Sequence, residues 1–155
     1  MLAVRNVALL LLVGLALAAC GGSSKKPGST ATASSSIANP GVEKAQIRSA
    51  YEKFFSGKTS LQDRVALLQN GSKFKPVIKA FASNPLAKNV SATVSSVRLQ
   101  GHDKATVVYT VKLAGAGLPK LTGTAVRENG TWKVGDASLC RLVSLGGSTP
   151  SACKS

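Results

Sequence analysis

ATVVYTVKL, residues 105–113, is the most regular alternation of apolar and polar residues in the chain. A period of two residues is that of a β-strand with one buried face. One face carries Ala105, Val107, Tyr109, Val111 and Leu113, and the other carries Thr106, Val108, Thr110 and Lys112. The segment therefore predicts a strand that packs one side on a core.

Strands are predicted on both sides of this segment. Apolar residues alternate through Val90, Ala92 and Val94 and resume out of phase at Val97 and Leu99. The phase change predicts a β-bulge at Ser95-Ser96, which would curl the strand. After a Gly-containing loop over 114–120, Asn129-Gly130 predicts a tight hairpin between residues 122–128 and 131–134.

Helical spacing dominates the chain before residue 89. Apolar residues recur every three or four positions in 42–55, 61–68 and 74–82, which predicts three helices. Ser60 is placed to cap the second helix, and Pro76 is expected near the first turn of the third. Leu139, Leu142, Val143 and Leu145 are expected to close the domain as a strand running into a short helix or as a strand alone.

Helices followed by an antiparallel meander indicate an α+β domain, with the N-terminal helices packed on one face of a curled antiparallel sheet. This is the layout of cone-shaped NTF2-like and cystatin-like domains. Residues 37–155 hold enough apolar residues for one such core.

The N-terminus has the pattern of a bacterial lipoprotein signal. Arg5 precedes an apolar run that is too short to cross a membrane, and Leu17-Ala18-Ala19-Cys20 resembles a lipobox. We expect residues 1–19 to be the signal peptide, Cys20 to be lipidated and 20–36 to be a flexible Ser/Thr/Gly linker. The expected location is extracytoplasmic, on the outer face of the cell membrane. The alternative is ordinary cleavage after Ala19 without lipidation.

Lipidation of Cys20 would leave two of the three cysteines, Cys140 and Cys153, available to pair. An oxidising compartment favours a disulfide between them. Two free thiols or a metal pair are the alternatives, and the second is disfavoured because no histidine ligands lie nearby.

The chain is strongly basic, with 20 Lys and Arg against 6 Asp and Glu and a formal net charge of +14. These cations are spread along the chain, whereas nucleic-acid binders concentrate them and interleave stacking aromatics. We therefore expect no nucleic-acid partner. Anionic wall polymers or lipid head groups fit such a charge, and a generic solvated basic surface is the alternative.

No recognisable catalytic, metal or cofactor motif is present. The only histidine, His102, lies beside Asp103 in a predicted turn, and the acidic residues show no ligand spacing. One hint of a ligand site is that five aromatic residues could line the mouth of a cone, although core packing is the default for them. They are Tyr51, Phe54, Phe55, Tyr109 and Trp132.

Several segments together resemble the mycobacterial secreted low-molecular-weight antigen family, C-terminal domain. They are Asp63-Arg64 with 67–71, 92–94, 105–107 with Tyr109, 123–126, and the closing Gly130, Trp132-Lys133-Val134, Ser138, Cys140 and Leu142-Val143 with Leu145. The resemblance spans roughly residues 47–145. It implies an exported actinobacterial protein, and it implies no established activity, cofactor or catalytic residue.

The sequence thus favours a non-enzymatic binding or interaction module at the cell envelope. Its partner would be an anionic wall polymer, an envelope protein or a small ligand, besides the membrane that holds the lipid anchor. A small-ligand carrier with an internal pocket is the alternative. An enzyme on the same scaffold ranks third.

Overall fold

The structure is a computed structural model that describes residues 39–147 and 149–154. Three helices come first: α1 (Pro40–Phe55), α2 (Leu61–Leu67) and α3 (Gly71–Ala82), with a 3-10 turn at Pro85–Asn89. Five strands follow: β1 (Val90–Gln100), β2 (Lys104–Leu113), β3 (Ala116–Gly117), β4 (Leu121–Glu128) and β5 (Thr131–Val134). The chain then forms α4 (Asp136–Leu145) and a second 3-10 turn at Ser151–Cys153.

The strands form one antiparallel sheet in the order β1-β2-β4-β5, and the two-residue β3 pairs with β2. The first helices precede the sheet, and α1 packs on β1 and β5. The sheet curls into a half barrel, so the predicted α+β class with a cone-like layout is confirmed.

The predicted bulge in β1 is confirmed. Val94 lies opposite Tyr109, and the register shifts between Val94 and Ser96. The shift places Val97 opposite Val107, so the apolar residues on both sides of the bulge share the inner face of the sheet. The hydrophobic pattern therefore determines both the register and the point where the strand bends.

The Asn129-Gly130 hairpin is also confirmed. Asn129 and Gly130 have φ of 50° and 78°, and Glu128 pairs directly with Thr131 around this two-residue loop. Two consecutive positive φ values are those of a type I′ turn, whose twist matches that of the flanking strands.

Helix boundaries depend on caps and on one close approach. The Ser60 side chain accepts a hydrogen bond from the Asp63 backbone N–H at 3.1 Å, which confirms the predicted cap of α2. However, α3 begins already at Gly71, where a Cβ atom would lie 1.9 Å from the Val65 carbonyl oxygen. Pro76 is therefore its sixth residue and lies in the second turn, just after the first turn near which it was expected.

The C-terminal part differs from the strand expected there. Residues 136–145 form α4, which begins directly after β5 ends at Val134. Leu139, Leu142 and Val143 have the three- and four-residue spacing of a helix, and they contact the core from α4. The short β3, which lies in the loop over 114–120, was not predicted.

Candidate functional site

The five aromatic residues considered for a pocket lie in the core. Each is at most 4 % exposed. Ring centroids are 5.0 Å apart for Tyr51 and Tyr109, 5.4 Å for Phe55 and Tyr109, and 4.8 Å for Phe54 and Phe55. Rings at these separations fill the space between α1 and the sheet. The structure thus replaces the expected pocket lining by core packing for Tyr51, Phe54, Phe55, Tyr109 and Trp132.

A buried polar junction joins α1, β4 and α4. The Tyr51 hydroxyl donates to the Thr124 carbonyl at 2.6 Å and lies 3.0 Å from Ser138 Oγ, which accepts from the Thr124 N–H at 2.9 Å. Burial raises the pKa of Tyr51, and the Ser138 contact opposes that rise. Ser138 is one of the residues that carry the family resemblance, but it was assigned no role from the sequence, because a buried serine carries no periodic signal.

Tyr109 contrasts with Tyr51. Both side chains are fully buried, yet the Tyr109 hydroxyl has no hydrogen-bond partner within the described part of the chain. Burial raises the pKa of Tyr109 to about 12, and the charge of Arg141 opposes that rise. At neutral pH both phenols are neutral, so neither serves as a general base.

A second junction links the start of α1 to the hairpin. Arg127 Nη1 lies 3.0 Å from Glu43 Oε1, and Trp132 Nε1 donates to the other oxygen of the same carboxylate. The guanidinium of Arg127 also lies 5.9 Å from the Trp132 ring centroid. Glu43 and Trp132 therefore hold α1 on the sheet.

Arg64 is an unusual buried cation. The residue is 3 % exposed, its Nη2 donates to the Ser56 carbonyl at 2.6 Å, and its guanidinium lies 5.8 Å from the Phe81 ring centroid. Its Nε has no partner among residues 39–147 and 149–154. Burial lowers the pKa of Arg64. Its contacts connect the loop before α2 to α3, which is a structural role.

Cys140 and Cys153 form a disulfide with a Cα–Cα distance of 5.6 Å. Pairing was one of three alternatives open from the sequence, and it is the one that the structure contains. The bond ties the C-terminal 3-10 turn to α4. In the described segments, no group of three or more His, Cys, Asp and Glu side chains could hold a metal ion.

His102 and Asp103 lie in the β1–β2 turn, and both are exposed. Two other acidic residues serve local structure. Asp63 accepts from the Ser60 hydroxyl at 2.7 Å, and Asp136 accepts from the Asn70 amide at 2.9 Å. Asp63 therefore takes part in the cap of α2, and Asp136 makes a surface hydrogen bond.

An open groove of about 540 Å³ lies between the α2–α3 junction and the hairpin. It is lined by Val65, Ala66, Leu68, Asn70, Gly71, Ser72, Lys73, Glu128 and Lys133. Lys133 Nζ lies 2.9 Å from Glu128 Oε2, so these two residues form an ion pair at the rim of the groove. The groove is shallow and mixed in charge, and none of the five aromatic residues borders it.

The outer face of the sheet is the more distinctive surface. We call the outward-facing residues of β1 and β2 the outer strip. It comprises Ser91, Thr93, Ser96, Arg98 and Gln100 of β1 and Lys104, Thr106, Val108, Thr110 and Lys112 of β2. All five β1 members and both lysines are exposed, and Thr106, Val108 and Thr110 are half-buried. Neither strand contains Asp or Glu.

The sequence profile of the family described as "low molecular weight antigen MTB12, C-terminal domain" matches residues 29–150. The chain belongs to this family. Membership in this antigen family confirms the resemblance seen in the sequence and supports an exported protein. No curated protein matches the chain.

No helix among the described residues is long and apolar enough to cross a membrane. The signal peptide over 1–19, the lipidation of Cys20 and the linker over 20–36 lie outside the described residues. They stay predictions.

Proposed function

We propose that this member of the antigen family is an extracytoplasmic lipoprotein, anchored through Cys20 to the outer face of the cell membrane. Its folded domain would act as a non-enzymatic binding module for anionic components of the cell envelope. The lipobox-like sequence supports the anchor, and the family supports export.

The observation that carries the binding role is an excess of positive charge. Between Asp63 and Asp103 the chain has six Lys and Arg residues and no Asp or Glu. Four of the six carboxylates are engaged locally: Asp63 and Asp136 in hydrogen bonds, and Glu43 and Glu128 with Arg127 and Lys133. Because most carboxylates already have local partners, most of the Lys and Arg side chains on the surface have no acidic residue to neutralise them. A surface with such a positive field attracts polyanions.

The buried polar groups support a binding role over catalysis. The hydroxyls of Tyr51 and Ser138 are buried and bonded to each other and to the β4 backbone. A nucleophile and its base must reach a substrate, and these groups are enclosed between α1, β4 and α4. A small-ligand carrier would need the aromatic rings to line a cavity, whereas in this structure they are packed in the hydrophobic core.

The anchor is tested by Cys20→Ser in the native host with metabolic fatty-acid labelling. We expect loss of the label and either accumulation of precursor or release of the protein. Cys140→Ser/Cys153→Ser is the matched control, because it removes the other two cysteines and leaves the lipobox intact. Unchanged membrane retention and labelling of the Cys20 variant would contradict lipidation there.

The binding role is tested by co-sedimentation of the purified chain with isolated cell walls of its host. We expect retention at low salt and release at high salt, since the Debye length falls from about 10 Å at 0.1 M to about 3 Å at 1 M. Removal of the anionic polymers from the wall should abolish retention. Equal retention on the stripped wall would refute an anionic partner.

A further inference from the structure

The hydroxyls of the outer strip lie in register. Thr93 lies opposite Thr110, and Ser96 lies opposite Val108, which pairs on its other side with Thr122 of β4. Opposite residues in a sheet have Cβ atoms about 5 Å apart, so Thr93 and Thr110 form a row across two strands, and Ser96, Val108 and Thr122 form a row across three. The middle of the strip is therefore rich in hydroxyls; Thr93, Ser96 and Thr122 are exposed, and Thr110 is half-buried.

The cations lie at the two ends of the strip. Lys112 lies at one end and Lys104 at the other, eight residues apart on β2, a span of about 26 Å at 3.3 Å per residue. Arg98 lies opposite Thr106 and is the diagonal neighbour of Lys104, so that end holds two positive charges. Neither β1 nor β2 contains a carboxylate, and Glu128 of β4, a diagonal neighbour of Lys104, is paired with Lys133.

The spacing of the cations and the hydroxyls between them favour some anionic partners over others. A span of about 26 Å exceeds what a small ion can bridge, so a partner touching both ends must be extended. The hydroxyl rows can donate to and accept from sugar hydroxyls. All seven aromatic residues of the chain are buried or half-buried in the domain, so the strip has no ring on which a nucleic-acid base could stack. A bilayer surface would favour exposed apolar side chains, and the strip offers only the half-buried Val108.

We propose that the outer strip is the docking surface for an extended anionic polysaccharide that runs along β1 and β2. Its anionic groups contact Lys112 at one end and Arg98 with Lys104 at the other, and its hydroxyls contact the threonines and serines between them. This inference rests on the proposed function, because it names the surface and the class of polymer.

The test compares two triple variants of the full chain that lose the same charge. Arg98→Gln/Lys104→Gln/Lys112→Gln removes the cations of the strip. Lys44→Gln/Lys75→Gln/Lys79→Gln removes three exposed cations of α1 and α3. All six positions are exposed, so both variants should fold, and thermal melting curves check this. Binding to carboxymethyl dextran is measured at low salt, with unmodified dextran as the uncharged probe.

We expect the strip variant to bind carboxymethyl dextran roughly a hundredfold more weakly, since each cation at an anionic surface contributes about a factor of five. The α1/α3 variant should lose about twofold through the long-range field alone. Thr93→Val/Thr110→Val, which keeps the shape and the strand propensity, should weaken binding to carboxymethyl dextran and leave binding to polyglutamate unchanged.

Three outcomes would overturn the inference. Equal weakening by both triple variants would show that the diffuse charge binds the polymer, and the proposed function would survive without this site. Tighter binding to phosphatidylglycerol vesicles, lost in the strip variant, would assign the strip to a lipid surface. Failure of the unsubstituted chain to bind any polyanion would refute the proposed function itself.

Discussion

Tyr51 and Tyr109 provide a matched pair for testing how polar groups act in this core. Both side chains are fully buried, and their ring centroids are 5.0 Å apart. Tyr51→Phe removes a hydroxyl that donates to the Thr124 carbonyl and contacts Ser138 Oγ. Tyr109→Phe removes a hydroxyl without a partner in the described chain. Removal of the hydroxyl should therefore lower the free energy of unfolding at Tyr51 and raise it at Tyr109.

The magnitudes follow from the contacts. Two hydrogen bonds at about 1 kcal/mol each set the upper range for Tyr51→Phe, so the free energy of unfolding should fall by about 1–2 kcal/mol. The larger penalty of an orphaned acceptor is avoided, because Ser138 Oγ lies 3.3 Å from the Thr124 carbonyl and can still donate to it. Tyr109→Phe relieves an unpaired buried hydroxyl and should raise the free energy of unfolding by up to about 1 kcal/mol.

The assay is urea unfolding followed by the fluorescence of Trp132, the single tryptophan, which is 3 % exposed. Equal slopes of the unfolding free energy against urea for the three proteins are the control for a shared unfolded state. A loss of more than about 1 kcal/mol in Tyr109→Phe would refute the reasoning, since it would mean that this hydroxyl is hydrogen-bonded. Stability of Tyr51→Phe equal to that of the parent chain would refute the role of the polar junction.

Three further predictions concern the same core. Reduction of Cys140–Cys153, or serine at both positions, should lower the free energy of unfolding by about 3 kcal/mol, because the bond closes a short loop with a sequence separation of 13. Gly123→Ala should destabilise by about 1–3 kcal/mol, because its Cβ would lie 2.5 Å from Ser138 Oγ and 2.7 Å from the Tyr51 hydroxyl. The raised pKa of Tyr109 means that the unfolded state loses its proton first as pH rises above 10. Stability should hold below pH 10. Between pH 10 and pH 12 Tyr109 should contribute a fall of about 1.4 kcal/mol per pH unit, and Tyr109→Phe should lack this contribution and keep only the fall that Tyr51 causes.

Each of these predictions has a control. Thermal melting with and without reductant measures the disulfide, and a reductant-sensitive melt of the double-serine variant would contradict it. Gly117→Ala is the control for Gly123→Ala, because a Cβ at Gly117 meets no atom within 4 Å. An alkaline titration of stability that is identical in the parent and in Tyr109→Phe would show that Tyr109 is not the titrating group.

Local sequence patterns predicted the structure correctly where interactions between neighbouring residues determine it. The Asn129-Gly130 turn, the Ser60 cap and the bulge at Ser95-Ser96 were all predicted from a few neighbouring residues, because backbone sterics and the period of the strand determine them. The same logic failed for α4. Its helical state depends on tertiary contacts, because Ser138 Oγ accepts from the Thr124 N–H of β4 and Leu139 packs in the core.

The candidate sites divide in the same way. The sequence alone determined the large excess of positive charge, which follows from composition, and its lipobox-like segment at Cys20 favoured pairing of Cys140 with Cys153. Only the tertiary structure decided that the five aromatic residues pack in the core, because their burial depends on α1 lying against the sheet. Only strand pairing aligns the Thr and Ser side chains of the outer strip between its cations. A single strand specifies which residues share a face, and the register between strands decides which of them become neighbours.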